Sequence, residues 1–165
     1  MAIYVFTGQG AGKTTAALGM ALRELGHDYA VIVIQFLKWW KNTGEYKFKN
    51  KNYEIYQFGR KGWHGLGNLD NRDKKLAEKA IEFAKKSLKK KPSLLILDEL
   101  NLALHCKLLE IKEVINFLKK APSNIDIVIT GRNAPKEIIA IADCVNEVKM
   151  IKCPKKIITK KGISY

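Results

Sequence analysis

The sequence has few cysteines and no long apolar segment. Its 165 residues include three cysteines, Cys106, Cys144 and Cys153, and none belongs to a Cys-x-x-Cys pair. An odd, scattered set of this kind is typical of reduced thiols that pack in a cytoplasmic protein rather than bind a metal. No apolar run approaches the ~20 residues that would span a bilayer. No signal peptide is visible either, so we expect no membrane partner.

Prolines and linker-like segments are scarce as well. The chain has four prolines, no proline- or serine-rich stretch and no internal repeat. A chain of this length can bury a full hydrophobic core without dividing into separate units. We therefore expect a single domain over residues 1–165.

Acidic residues are few relative to basic ones. The 16 Asp and Glu against 30 Lys and Arg give a formal net charge of +14. A surface of this charge attracts nucleotides, nucleic acids and acidic partners. Much of the excess is lysine on predicted helix faces, as at residues 85–86 and 89–91, and a composition rich in Lys, Glu and Ile is also typical of thermophilic proteins. The charge alone therefore does not predict nucleic-acid binding.

A glycine-rich loop joins the first predicted strand to the first predicted helix. The apolar run 3–6 precedes the loop and the helix-forming run 16–22 follows it. In a phosphate-binding loop of this kind, backbone amides and the positive end of the helix dipole face the anion. The residues predicted to bind phosphate are Thr7, Gly8, Gln9, Gly10, Ala11, Gly12, Lys13, Thr14 and Thr15.

Two side chains of this loop carry its chemistry. Lys13 brings a positive charge to the phosphates, and Thr14 offers a hydroxyl to Mg²⁺. The general pattern has glycine where this chain has Thr7, so the loop departs from it at one position. The alternative is a glycine-rich turn before an ordinary helix. The Gly-Lys-Thr-Thr sequence at a strand-to-helix junction favours the phosphate loop.

An apolar strand that ends in two acids predicts the other half of the site. Residues 94–97 are apolar, and Asp98 and Glu99 follow them. A carboxylate at the end of a central strand lies beside the phosphate loop and can hold Mg²⁺ through water. We therefore predict Asp98 as a metal residue together with Thr14, and Glu99 as a second catalytic acid. The alternative is a buried strand with a capping aspartate.

Strands and helices alternate along the rest of the chain. Further strands are predicted at 29–36, 53–58, 124–130 and 144–150, and further helices at 70–90, 111–119 and 135–142. This alternation predicts an α/β fold with a mostly parallel sheet and helices on both faces. Long loops at 37–52 and 59–69 interrupt the pattern, and such loops are often functional. Arg132 follows a strand end, where it suits a phosphate contact or a structural ion pair equally.

Seven short motifs occur in a characteristic order. They are TGQGAGKTT at 7–15, QFLK at 35–38, NTGE at 42–45, LDELN at 97–101, TGR at 130–132, ADCVNE at 142–147 and GISY at 162–165. In this order the chain resembles, over nearly its whole length, the ATP:corrinoid adenosyltransferases of the CobA/CobO/BtuR type. That family also has threonine at the first position of the loop. The resemblance implies a P-loop NTPase fold of RecA-like architecture.

The resemblance implies a group transfer. The 5′-deoxyadenosyl group of ATP would move to the Co(I) of a corrinoid, with release of triphosphate, in cobalamin biosynthesis or salvage. It implies ATP, Mg²⁺ (or Mn²⁺), a corrinoid substrate, an external reductase that supplies Co(I), and a homodimer, with nucleic acid not expected. Lys13, Asp98 and Glu99 are the expected catalytic residues, and Arg132 joins the phosphate-binding set. Reduced cobalt has no proton to lose, so no Ser-His-Asp or Cys-His set is required.

The expected corrinoid contacts lie in the two long loops, and the second of these loops departs from the family. They are Lys38, Trp39, Trp63 and His64. Region 59–69 keeps only Trp63 of the family's Phe-Thr-Trp-Glu, and segment 152–154 is about two residues shorter than its counterpart. The tryptophans would cover the corrin face or pack in the core or a dimer, and His64 would ligate cobalt or lie in solvent.

Two other functions remain open from the sequence. The chain could be a P-loop ATPase or ATP-dependent nucleic-acid-binding protein, whose lysines follow a phosphate backbone. It could also be a sensor that binds ATP and corrinoid without efficient turnover. Release of triphosphate rather than ADP separates the adenosyltransferase from the ATPase.

Overall fold

The fold is built on one parallel β-sheet. The computed structural model describes residues 1–62, 65–153 and 159–165. Its strands are β1 (Ile3–Thr7), β2 (Val31–Phe36), β3 (Tyr53–Phe58), β4 (Leu94–Asp98), β5 (Asp126–Thr130) and β6 (Cys144–Glu147). They lie in the order β3-β2-β4-β5-β1-β6, and each neighbouring pair is parallel. The prediction of a parallel α/β sheet is confirmed.

Helices cover both faces of this sheet, as predicted. They are α1 (Lys13–Gly26), α2 (Gly44–Lys47), α3 (Asn71–Ser87), α4 (Leu100–His105), α5 (Ile111–Lys119) and α6 (Lys136–Ile141). Helix α1 packs on one face, and α3, α4, α5 and α6 contribute to the core on the other. Successive side chains of a strand point to opposite faces. In β4, accordingly, Leu94 and Ile96 face α1, whereas Leu95 and Leu97 face the larger core.

The central strands are buried and the edge strands are not. All six residues of β2 and all five of β4 are buried, whereas those of β3 are half-buried and those of β6 are exposed. A central strand of a parallel sheet has helices on both faces, which explains why β2 and β4 are nearly continuous apolar runs. The single polar side chain within β2 is Gln35.

Some element boundaries differ from the predictions. Strand β2 begins at Val31 rather than at 29, β5 begins at Asp126 rather than at 124, and β6 ends at Glu147 rather than at 150. The sequence analysis did not predict α2 and α4, because helices of four and six residues are too short to show a 3.6-residue period. Helix α3 is capped at its start: Asp70 accepts from the amide of Arg72 and forms a capping box with Asp73.

The predicted site residues lie together at the edge of the sheet that is formed by the carboxyl ends of its parallel strands. The segments after β1, β2, β4 and β5 all leave the carboxyl ends of their strands, and ligands bind at this edge in α/β sheets. The phosphate loop, residues 37–42, the acidic pair and Arg132 therefore lie on the same side of the molecule. Within the described ranges, no helix is long and apolar enough to cross a membrane.

Candidate functional site

The phosphate loop is fixed by a chain segment that follows β6. The amide of Gly10 donates to the carbonyl of Val148 at 2.8 Å, and the amide of Val148 donates to the carbonyl of Thr7 at 2.8 Å. A Cβ atom would lie 2.5 Å from the Val148 oxygen at Gly8 and 2.8 Å from it at Gly10. Glycine is therefore required at both positions by a close backbone neighbour. Gly12, with φ of 103°, meets no such neighbour.

Further contacts join this loop to the segment after β5. The Thr7 hydroxyl accepts from the amide of Ala134 at 3.1 Å, and Gln9 Nε2 donates to Asn133 Oδ1 at 2.9 Å. Three of the predicted phosphate contacts are exposed to solvent: Ala11 and Gly12 in the loop, and Thr15 in the first turn of α1. The loop is thus held at its two sides and open at its tip.

Lys13, the first residue of α1, is folded onto the loop. Its ammonium donates to the Gly10 carbonyl at 2.5 Å, and the residue is buried. Burial lowers the pKa of Lys13 and the charge of Arg132 lowers it further, against the opposing effects of Glu99 and Asp98. Lys13 and Arg132 therefore interact electrostatically.

Asp98 is the centre of a buried polar cluster. Its Oδ1 accepts from the hydroxyls of Thr14 at 2.7 Å and Thr130 at 2.6 Å, and its Oδ2 accepts from Gln35 Nε2 at 3.0 Å and Lys38 Nζ at 2.6 Å. Burial by itself would raise the pKa of Asp98. The charge of Lys38 and the hydrogen bonds outweigh it, so the pKa lies below its usual value. The cluster therefore favours the ionised form of this carboxyl.

The predicted metal pair, Thr14 and Asp98, is in direct contact. A hydroxyl and a carboxylate are the hard oxygen ligands that Mg²⁺ and Mn²⁺ accept. The ammonium of Lys38 already lies against both, so the cluster accommodates a positive charge. The residues therefore fit a divalent cation. The described part of the chain has no group of three His, Cys, Asp or Glu that could hold a metal by itself, so further ligands would come from water and phosphate.

Glu99 has an unusual backbone and an unpaired carboxylate oxygen. Its φ of 63° is left-handed, a conformation that costs a non-glycine residue about 1–3 kcal/mol and is concentrated at functional sites. Its amide donates to the Thr130 hydroxyl at 3.0 Å, while its Oε2 is buried without a hydrogen-bond partner in the described residues. Burial and the nearby charge of Asp98 raise the pKa of Glu99.

A cavity of about 180 Å³ lies beside this cluster. Lys38, Trp39, Glu99 and Arg132 line it, together with residues of the second long loop and α3. The structure therefore brings these four predicted residues together. In the described part of the chain Arg132 forms no ion pair, which leaves its guanidinium free for a ligand. The other predicted corrinoid contacts, Trp63 and His64, lie outside the described residues.

The sequence analysis missed the opposite wall of this cavity. Arg60, two residues after β3, donates to Asp70 at 2.8 Å and forms an ion pair with Asp73 at 3.2 Å, and Leu66 and Leu69 line the same cavity. Position after a strand end is the signal that could have found Arg60, since the same signal had identified Arg132.

A second missed feature is a pair of glutamines behind Asp98. Gln57 Nε2 donates to Gln35 Oε1 at 2.9 Å and to the Trp40 carbonyl at 3.2 Å. Gln35 in turn donates to Asp98. This chain of hydrogen bonds connects the Asp98 cluster to the first long loop, which contains Trp39 and Trp40. A polar residue within the apolar run of β2 was the available signal.

Comparisons with known proteins show what this chain is similar to. The family model described as ATP:corrinoid adenosyltransferase BtuR/CobO/CobP matches residues 1–165. A protein of Sinorhizobium sp. named corrinoid adenosyltransferase is 37% identical over 172 residues, covering 99% of this chain and 79% of its own. One of the same name from Pseudomonas aeruginosa is 34% identical over 99% of this chain and 83% of its own. Corrinoid adenosyltransferase CobA of Salmonella typhimurium is 35% identical over 91% of this chain and 77% of its own.

Proposed function

Because this chain belongs to the ATP:corrinoid adenosyltransferase family, we propose that the site at the sheet edge transfers the 5′-deoxyadenosyl group of ATP to a corrinoid. The observation that carries the proposal is the position of Lys38. It contacts Asp98 and Thr14 beside the phosphate loop, and it also lines the adjacent cavity. A nucleotide and a second substrate bound in these two places would meet at this residue.

The proposed reaction is a displacement at C5′ of ATP. The Co(I) of the corrinoid substrate supplies an electron pair, a cobalt–carbon bond forms, and the C5′–oxygen bond breaks. Triphosphate leaves with the electron pair of the broken C5′–oxygen bond, and cobalt is formally oxidised to Co(III). No proton is transferred from the nucleophile, so the protein needs no general base there. Its tasks are to align the two substrates and to stabilise the charge of the leaving group.

We assign these tasks to residues already described. Lys13, the free loop amides and Arg132 would stabilise the triphosphate, since Lys13 lies against the loop at Gly10 and the charge of Arg132 acts on Lys13. Thr14 and Asp98 would hold Mg²⁺ or Mn²⁺, which supplies further positive charge to the triphosphate when bound. Glu99, whose unpaired oxygen is buried at the cavity wall, would be the second acid that orients the groups around the nucleotide.

The corrinoid would bind beyond the small cavity. Its volume of about 180 Å³ is below the ~300–1,000 Å³ of usual ligand pockets, so only part of a corrinoid can enter it. Trp39, at the cavity wall, would cover one part of the corrin face, and Trp63 and His64 are proposed for another.

We further propose a homodimer, because Leu22, 65% exposed on α1, borders an apolar groove with Leu18 and Phe48.

Further proposals concern the electron donor, the cellular compartment, the domain organisation and the corrinoid substrate of this protein. Reduction to Co(I) needs an electron donor, which ATP is not, so an external reductase would supply it. The free thiols of Cys106, Cys144 and Cys153 fit a reducing compartment such as the cytoplasm. One sheet includes strands from Ile3 to Glu147, which supports a single domain over residues 1–165. Cobalamin and cobyrinic acid a,c-diamide are the two candidate corrinoids.

The test is an anaerobic assay of the purified chain. Protein, Mg-ATP and chemically reduced cobalamin are mixed, and the visible spectrum and the released triphosphate are measured. We expect a light-sensitive adenosylated corrinoid and an equal amount of triphosphate, and kcat/KM for cobalamin against cobyrinic acid a,c-diamide identifies the preferred substrate. Salt-sensitive, nucleic-acid-stimulated release of ADP would instead indicate an ATPase. ATP binding without a spectral change would indicate a sensor.

A further inference from the structure

The ammonium of Lys38 lies where a cation would bind. Its Nζ is 2.6 Å from Asp98 Oδ2 and 3.2 Å from Thr14 Oγ1. These are the two residues to which the proposed function assigns the divalent cation. In this structure, therefore, a side chain of the protein contacts both oxygen ligands of the proposed metal site.

The carboxylate of Asp98 has no capacity left for another partner. An ionised carboxylate offers roughly four lone-pair positions. Described side chains already donate to all four: Thr14 and Thr130 to one oxygen, Gln35 and Lys38 to the other. A divalent cation, or a water bound to it, can reach Asp98 only if one of these donors leaves.

Lys38 is the donor that can leave while Thr14, the other proposed ligand of the cation, stays in place. Gln35 and Thr130 are completely buried, and each has another hydrogen bond: Gln35 accepts from Gln57, and Thr130 accepts from the amide of Glu99. The side chain of Lys38, by contrast, is 30% exposed at the mouth of the cluster and has a flexible four-carbon stem.

The adjacent cavity offers the ammonium a second position. Lys38 already lines this cavity, and so does Glu99, whose Oε2 is buried without a partner in the described part of the chain. The negative charge of Glu99 also acts on Lys38. When Lys38 leaves Asp98, this carboxylate is the acceptor within the same cavity.

We propose that Lys38 is an exchangeable internal cation, which occupies the Asp98–Thr14 site until a divalent cation displaces it toward Glu99 and the cavity. The inference rests on the metal site of the proposed function. It makes Lys38 a positioning residue that couples nucleotide binding to the corrinoid side of the site. It also explains how the protein itself compensates the charge of the buried Asp98. A divalent cation alone competes poorly with Lys38, whereas one that arrives with triphosphate brings additional ligands.

The test measures Mn²⁺ binding without nucleotide or corrinoid. Mn²⁺ is titrated into the full chain and into Lys38→Met, and the free ion is followed by electron paramagnetic resonance. We expect Lys38→Met to bind one Mn²⁺ at least tenfold more tightly than the parent chain. The matched control is Lys41→Met, on the same loop, whose ammonium lies 5.6 Å from the Tyr46 ring. It removes the same charge and should leave Mn²⁺ affinity unchanged.

Three results would overturn the inference. They are equal Mn²⁺ affinity in Lys38→Met and the parent, an equal gain in Lys41→Met, and tight binding that survives Asp98→Asn in the Lys38→Met background. If Lys38→Met does not fold because Asp98 loses its counter-charge, Lys38→Gln is titrated instead, since it keeps a hydrogen-bond donor without the charge.

Failure of this inference is distinguishable from failure of the proposed function. The Mn²⁺ titration contains neither substrate, whereas the adenosyl-transfer assay uses the parent chain. A tenfold gain in Lys38→Met with no adenosyl transfer by the parent would retain the cation exchange and reject the activity. The reverse pair of results would retain the activity and reject the exchange.

Discussion

The amide of Gly10 donates a hydrogen bond of 2.8 Å to the carbonyl of Val148. One amide of the phosphate loop is thereby used by the protein itself and is not available to a phosphate. The contact exists because β6 lies beside β1, which brings the segment after β6 against the loop. The shape of the loop thus depends on a residue far away in sequence, and glycine is required where the two backbones touch.

Replacing Gly10 by alanine should disturb ATP binding. The added Cβ would lie 2.8 Å from the Val148 oxygen, so the loop or the neighbouring segment must shift. We expect at least a tenfold loss of ATP affinity by calorimetry, together with a lower Tm. Gly19→Ala is the control, because a Cβ at this exposed position in α1 meets nothing within 4 Å and should stabilise the helix by about 0.5–1 kcal/mol. Parent-like ATP affinity in Gly10→Ala would contradict the role given to the contact.

Asp98→Asn should reduce catalysis more than nucleotide binding. The amide keeps the size of the side chain but removes the charge that would hold a cation beside Thr14. Loss of one preorganised electrostatic group typically costs about 10²–10³-fold in kcat, and we expect a loss in that range for triphosphate release. ATP affinity measured without divalent ion should change far less. Asp28→Asn, at an exposed aspartate outside the site, should keep the parent kcat; a matching decrease there would reject the assignment.

Trp39→Ala and Trp40→Ala should differ in their effect on the corrinoid. Trp39 lines the cavity beside Asp98, whereas Trp40 packs against Tyr165 with ring centroids 4.9 Å apart. We expect Trp39→Ala to raise the KM for corrinoid about tenfold or more with ATP affinity nearly unchanged. Trp40→Ala should leave that KM close to the parent value. Equal losses of ATP and corrinoid affinity in Trp39→Ala would show a structural role instead.

Trp63 is the other tryptophan that we predict to cover the corrin face, and Trp63→Ala tests this contact. If Trp63 lies over the corrin face, its removal should slow adenosyl transfer and leave ATP affinity nearly intact. Single-turnover kinetics with reduced cobalamin, beside calorimetry with ATP, measure both quantities. A parallel loss of the two would reject a contact with the corrin.

Glu54, on the edge strand β3, is expected to make a pH-dependent contribution to the stability of the fold. Hydrogen bonds from Lys90 and from Tyr56 lower the pKa of Glu54 from its ordinary value of 4.5. A lowered pKa stabilises the fold above the unfolded-state pKa, and this stability is lost as pH falls through the folded-state pKa. Glu54→Gln should therefore lower the free energy of unfolding at pH 7 by about 0.2–1 kcal/mol. Denaturant titrations should show the difference shrinking below pH 4.5; a constant difference would exclude the linkage.

Much of the site could be predicted from local sequence. The apolar run before Asp98 indicated a buried strand, and the glycines before Lys13 indicated a loop that opens a helix. Parallel strands end at one edge, so Thr14 and Asp98 were expected to meet, and their side chains are 2.7 Å apart. The local pattern predicts these features correctly because a few neighbouring residues are enough to indicate the secondary structure and burial of a segment.

Other contacts could not be predicted, because they depend on which strands become neighbours. Lys38 reaches Asp98 since β2 lies next to β4, and Val148 reaches Gly10 since β6 lies next to β1. The order of the strands depends on how all the helices pack on the sheet, so it cannot be predicted from any short segment of the sequence. The rotamer of a lysine depends in turn on the carboxylate it finds there. Local sequence therefore predicts the alternating elements and the phosphate loop. The charge that compensates Asp98 and the backbone that supports the loop follow instead from how the strands pack together in three dimensions.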